Sequence, residues 1–184
     1  KAHAMSADLS KGDAVRGYVK AAAAALGGVD FLVNNASGFG SSDDDKGWGA
    51  NFTVDMMAIV HATQEALPSL KASRGSVLNI SSIAAHHPSA RQPPYGAMKA
   101  AVIHYTTTQA AMYARDKVRV NCIAPGSIDF PGGVWDRRKT DNPALYNGTL
   151  QSIPFGRMGT PEEIANVALF LASPLASWVT GQTI

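Results

Sequence analysis

The chain has a single cysteine, Cys122, among its 184 residues, so no disulfide can close within it. Cys122 lies in an apolar, strand-like run without a partner histidine, a setting that favours a buried structural thiol over a nucleophile. An excess of charge is also missing: the formal net charge is +2, and Lys and Arg are dispersed rather than gathered into a basic stripe with interleaved aromatics. Nucleic acid and a membrane surface are therefore disfavoured as partners, and a small molecule is expected. No apolar run approaches the length needed to cross a bilayer, and the start Lys1-Ala-His-Ala-Met-Ser6 lacks the apolar segment of a signal peptide, so a cytoplasmic location is expected. Metal-ligand spacing is absent as well. The acidic run Asp43-Asp44-Asp45 reads as a solvated loop. His86 and His87 are adjacent rather than three or four apart, and read as loop residues more readily than as substrate contacts.

What is present is an alternation of short β-rich runs with Ala-rich helical patterns. This is the signal of βα units around a parallel sheet in one domain. Strands are expected at His3 to Ala7, Val29 to Ala36, Gly75 to Ser81 and Val118 to Ile123; the last three are rich in Val, Ile, Leu and Phe, as interior strands covered on both faces should be. Helices are expected at Lys11 to Leu26, Trp48 to Leu70, Tyr95 to Arg115 and Pro161 to Ala172. Ser10 is the expected N-cap of the first, and Gly27-Gly28 its stop. Thr160-Pro161-Glu162-Glu163 supplies a cap, an N1 proline and two acids for the last. His61 and His104 fall on helices and read as packing or interface residues. The Pro- and Gly-rich segment from Ser127 to Phe155, with Trp135 and Tyr146, reads as a flap over a substrate site.

Tyr95 and Lys99 are four residues apart at the start of a helix and so share a face, where an ammonium can favour ionisation of a phenol. Stabilising a phenolate near neutral pH takes roughly 4 kcal/mol relative to a free phenol, whereas an exposed i,i+4 ion pair supplies only about 0.3–0.5 kcal/mol. A water-poor site, the helix N-terminus and a second positive charge, such as an oxidised nicotinamide ring, must supply the rest. The Tyr-x-x-x-Lys spacing alone is weak, but thirteen residues before Tyr95 stands Ser82, at the end of the apolar run Val77-Leu78-Asn79-Ile80. A hydroxyl is thereby delivered to the carboxyl edge of a sheet, where open α/β folds bind ligands.

Over nearly its whole length the chain resembles the short-chain dehydrogenase/reductase family. The resemblance rests on Asp8-Leu9, Asn34-Asn35-Ala36-Ser37, Asn79-Ile80-Ser81-Ser82, Tyr95-Gly-Ala-Met-Lys99, Asn121-Cys-Ile-Ala-Pro125-Gly126, Gly156-Arg-Met-Gly-Thr-Pro161-Glu-Glu-Ile-Ala and Thr180-Gly-Gln-Thr-Ile184, all in order. It implies a Rossmann-like doubly wound α/β fold, and an NAD- or NADP-dependent oxidoreductase acting on a carbonyl or alcohol as a homodimer or homotetramer. By it, Tyr95 is the general acid in reduction and the base in oxidation, Ser82 binds the substrate oxygen, and Lys99 assists Tyr95 and holds the nicotinamide ribose. Asp8, Leu9, Asn35, Ala36, Ser37, Ile80, Pro125, Gly126 and Ile128 line the cofactor together with Tyr95 and Lys99.

Counting from Trp48 and Pro68 places Asp55 where the family carries a catalytic asparagine. An ionised carboxylate only accepts hydrogen bonds, so Asp55 is expected to bind a water leading to Lys99 or to hold Lys99 as an ion pair. Asn51, one turn earlier, does not read as a substitute. Ser37 stands where the family has glycine, and Phe130 where a threonine often meets the carboxamide. The first two strands, the Gly-rich cofactor turn and the end of the last strand are not found, so residues 1–184 read as one domain truncated at both ends, with little cofactor binding of its own. The alternative to an enzyme is a non-catalytic, oligomerising piece of one.

Overall fold

A computed structural model describes residues 2–184. Its core is a three-stranded parallel sheet in the order β1 (Phe31–Asn34), β2 (Ser76–Ile80), β3 (Arg119–Ile123). The register sets Asn34 beside Asn79 and Asn79 beside Cys122. Because side chains alternate across a strand, Leu32, Val77 and Val120 point to one face and Phe31, Leu78 and Ile123 to the other. The first face is covered by α1 (Gly12–Leu26), α3 (Ala58–Ser73) and α4 (Pro93–Tyr113), the second by α7 (Pro161–Ala172). Helices on both faces of a parallel sheet are the doubly wound arrangement that the sequence predicts.

On the first face the sheet also carries polar side chains. Asn34 Nδ2 donates to Asn79 Oδ1 at 2.9 Å, and Asn79 Nδ2 donates to Thr106 Oγ1 at 2.9 Å and Gln109 Oε1 at 3.1 Å. This chain of amides joins β1 and β2 to α4 beneath the carboxyl edge of the sheet, and its low-dielectric setting strengthens each bond. Cys122, fully buried in the same layer, has its thiol pushed up by burial.

Several expectations need correction. No ladder forms over His3 to Ala7; β1 and β2 are shorter than predicted at both ends, and β3 starts one residue later than predicted and ends where predicted. Ser10 does not cap α1: its N–H and hydroxyl both go to Asp8 Oδ1, at 3.0 and 2.7 Å, and Lys11 takes the N-cap position. A local Asx-type turn has won over the cap. β1 is an edge among the described residues, with Val33 exposed, so it is not covered on both faces as an interior strand would be. The helix expected at Trp48 to Leu70 is divided into α2 (Asp45–Asn51), a π-helical segment (Phe52–Met57) and α3.

Other expectations hold. Gly27, at φ 95°, ends α1, and Thr160 and Glu163 form a reciprocal capping box on α7. Residues 180–184 run parallel to β3, Cys122 N–H donating to Gln182 O at 2.8 Å and Ala124 N–H to Ile184 O at 2.7 Å. The segment expected to be a flap contains two helices, α5 (Val134–Asp141) and α6 (Pro143–Ser152). Its base is closed by a bridge between Ile128 and Gly159. No helix among the described residues is long and apolar enough to cross a membrane.

Candidate active site

A cleft of about 740 Å³ opens at the carboxyl ends of the three strands. The turn after β1 contributes Asn35, Ala36 and Ser37, the end of β2 contributes Ile80, Ser81 and Ser82, the turn after β3 contributes Pro125, Gly126 and Ile128, and α4 contributes Tyr95 and Lys99. The sheet thus brings together residues as far apart in sequence as Asn35 and Ile128. Two residues past β2, Ser82 is the N-cap of a 3₁₀ turn, its Oγ accepting from Ala84 N–H at 3.2 Å, which fixes the side chain at the rim. Ser81 Oγ donates to Lys99 O at 2.7 Å and ties the strand end to the helix that bears Tyr95.

Lys99 is the anchor of the site. Its side chain is almost wholly buried, and its Nζ lies 2.9 Å from Asp55 Oδ1, donates to Ile80 O at 2.9 Å and stands 5.6 Å from the centre of the Tyr95 ring, within cation–π range. With three donors on an ammonium, at least one stays available to the cleft. Asp55 is fully buried and both of its oxygens are engaged: Oδ2 accepts from Gly38 N–H at 2.9 Å, and Oδ1 faces Lys99 as a charge contact without a well-aligned hydrogen bond. An asparagine has one acceptor oxygen and could not serve both partners. Of the two roles expected for Asp55, the geometry is that of the ion pair. The π-helical segment carries this carboxylate, in keeping with the tendency of such bulges to sit at functional sites.

Asn51 and Phe39 were not legible as site residues. Asn51, fully buried, clasps the backbone of one residue, its Nδ2 donating to Gly40 O at 2.7 Å and its Oδ1 accepting from Gly40 N–H at 3.1 Å. With the Asp55 bond to Gly38, the loop is held on either side of Phe39. A Cβ at Gly38 would collide with Ala50 O, and one at Gly40 with Gly47 O, so glycine is required at both positions by close backbone approach. Phe39 itself has φ 48°, a left-handed conformation that costs a bulky residue about 1–3 kcal/mol and persists only where its surroundings enforce it. Its ring lies 6.4 Å from that of Tyr95 at an interplanar angle of 12°, an offset stack. The only sequence signal was an aromatic residue flanked by glycines.

Other candidates fall elsewhere. Asp8 is exposed and its carboxyl is held below its usual range chiefly by the Ser10 hydroxyl; neither it nor Leu9 lines the cleft. Leu9 lines a separate apolar hollow of about 110 Å³ beside β1, which also reaches Asn35 and Ala36. Phe130 lines the cleft, so the departure noted from the family's frequent threonine puts an apolar ring in the site. His86 caps the 3₁₀ turn and His87 lines a shallow depression outside the cleft. Asp44 caps α2 by accepting from Gly47 N–H at 2.7 Å, and Asp43 accepts from Trp48 Nε1 at 2.9 Å.

The lining suits the nicotinamide and ribose part of the cofactor. The turns after β1 and β3 bring backbone groups to the cleft, and the space over Gly126 is open, a Cβ there meeting nothing within 4 Å. Asp55 sits behind Lys99 and outside the lining.

Comparison with known proteins sets the chain among dehydrogenases and reductases. The family model described as enoyl-(acyl carrier protein) reductase matches residues 1–184. The chain is 37% identical to 3-oxoacyl-(acyl-carrier-protein) reductase FabG of Chlamydia muridarum, covering 96% of this chain and 71% of that protein. Among solved structures it is similar to Cj0485 dehydrogenase, with TM-score 0.89 and 33% identity over 98% of this chain and 72% of the other. It is also similar to NAD⁺-bound xylitol dehydrogenase, with TM-score 0.88 and 26% identity over 97% and 75%.

Proposed function

The chain belongs to the short-chain dehydrogenase/reductase family, and from that premise we propose that it transfers hydride between NAD or NADP and a carbonyl or alcohol substrate, with Tyr95 as the general acid and base. The observation that carries this reading is the convergence of Ser82, Tyr95 and Lys99 on one cleft, with the ammonium held beside the phenol by Asp55 and Ile80 O.

A nicotinamide held beside Tyr95 and Lys99 would supply or accept the hydride. The chain's own residues do the rest. Ser82 Oγ, steadied by Ala84 N–H, donates to the substrate oxygen, and Tyr95 Oη gives that oxygen its proton in reduction or takes it in oxidation. Lys99 places positive charge next to the phenol and offers a remaining N–H to the ribose hydroxyls. Asp55 is a positioning residue: it touches neither substrate nor cofactor and fixes Lys99. A homodimer or homotetramer is part of the proposal, and is supported by large apolar side chains left exposed at Met112, Leu169, Leu175 and Trp178.

In the full-length protein, Tyr95→Phe should lower kcat on any carbonyl substrate by about 10²-fold or more while leaving the melting temperature within error. Equal turnover by the variant would sink the reading.

A further inference from the structure

The backbone on both sides of Phe39 is held in place. Gly38 and Gly40, on either side of it, are bonded to Asp55 and Asn51, its own N–H donates to Ser37 Oγ at 3.3 Å, and its backbone is left-handed. One side of the ring stacks on Tyr95, yet the residue stays 68% exposed, so the rest of the ring is open to the cleft it lines. Large apolar groups fixed in the open beside a reacting group mark a binding surface rather than a core. Phe39 is also not alone. Phe130 lines the same cleft, and Ile83 and Phe155 line the adjoining recess that shares Gly126, Ile128 and Ile164 with it; all three are exposed.

Charge points the same way. Lys99 is the one charged side chain among the described residues lining the cleft, and Asp55 balances it. In the adjoining recess Arg157 is paired with Glu163, Nη1 to Oε2 at 2.8 Å. An anionic oxoacid would find no unpaired cation there, and its desolvation would go uncompensated.

We propose that Phe39 is a specificity-determining residue, and that its open surface receives a ring or comparably bulky apolar group next to the carbonyl of an uncharged substrate. The proposal rests on the oxidoreductase reading of the same cleft.

The test compares 1-tetralone, acetone and pyruvate as substrates of the full-length protein, its Phe39→Ala and Phe39→Leu variants, and Tyr95→Phe. The expected result is a kcat/KM for tetralone at least about tenfold above those for acetone and pyruvate. Phe39→Ala should cut the tetralone value by about tenfold, mainly through KM, while leaving acetone within about twofold, and Phe39→Leu should recover part of the loss. A uniform fall for all ketones, or a preference for pyruvate, would overturn the proposal. Saturation-transfer NMR of tetralone binding reads Phe39 independently of turnover: affinity about tenfold weaker in Phe39→Ala supports the proposal, and unchanged affinity overturns it. Failure of the oxidoreductase reading shows itself differently, as equal tetralone turnover by Tyr95→Phe and the unaltered protein.

Discussion

Lys99 Nζ and Asp55 Oδ1 lie 2.9 Å apart with their side chains 3% and 0% exposed, an ion pair removed from water directly behind the phenol of Tyr95. Burying two charges is costly, and their attraction repays that cost only while both are present. Asp55 therefore joins the stability of the core to the placement of the proposed catalytic amine.

Removing the carboxylate should expose that coupling. Asp55→Ala leaves a buried ammonium and the Gly38 N–H without their acceptor, with an expected loss of about 3–5 kcal/mol in urea unfolding. Asp55→Asn, whose single acceptor oxygen can meet only one of the two partners, should lose about 1–3 kcal/mol. Equal stability of Asp55→Asn and the unaltered protein would show that Gly38 or Lys99 does not depend on the second oxygen.

Glu163 gives a prediction in pH. The Arg157 guanidinium beside it, followed by Thr160 N–H, lowers its carboxyl from 4.5 to about 2. A carboxyl with a lowered folded-state value stabilises the fold fully above its unfolded value and loses that contribution as pH falls through the folded one. The melting temperature of the unaltered protein should therefore exceed that of Glu163→Gln by a constant margin above pH 4.5, and the margin should shrink between 4.5 and 2. Because the pair is exposed, added salt should narrow it at neutral pH. A margin that widens on acidification would contradict this.

Cys122 is fully buried and its thiol is pushed up by that burial, so little thiolate is available to react. Ellman's reagent should leave the folded protein unmodified at pH 8 over hours and label one thiol within minutes in denaturing urea. Rapid labelling without urea would place Cys122 on a surface.

The doubly wound class, three of the four predicted strands and the helices at 11–26, 95–115 and 161–172 were legible because hydrophobic period and cap chemistry are local. The Ser10 cap failed through equally local competition: Asp8 offered its hydroxyl and N–H a nearer acceptor. The predicted strand at residues 3–7 formed no ladder, since strand pairing depends on a neighbour that a period cannot supply. Ser82, Tyr95 and Lys99 were picked out by spacing, as was Asp55 by counting, with Lys99 as one of its expected partners; the bond of Asp55 to Gly38 was not legible. Its hydrogen bond to Gly38 joins positions seventeen residues apart, and its contact with Lys99 joins different elements.

By itself, then, the sequence determined most of the element types and the family, and it supplied the side chains proposed as reactive, because each follows from residue chemistry at short spacing. Only the tertiary structure decided that Asp55 and Lys99 share one buried site, and that Asn51 and Asp55 hold Phe39 against Tyr95. Those relations depend on where the π-helical segment, the turn after β1 and α4 meet above the sheet, and on burial that leaves each polar group a single set of partners.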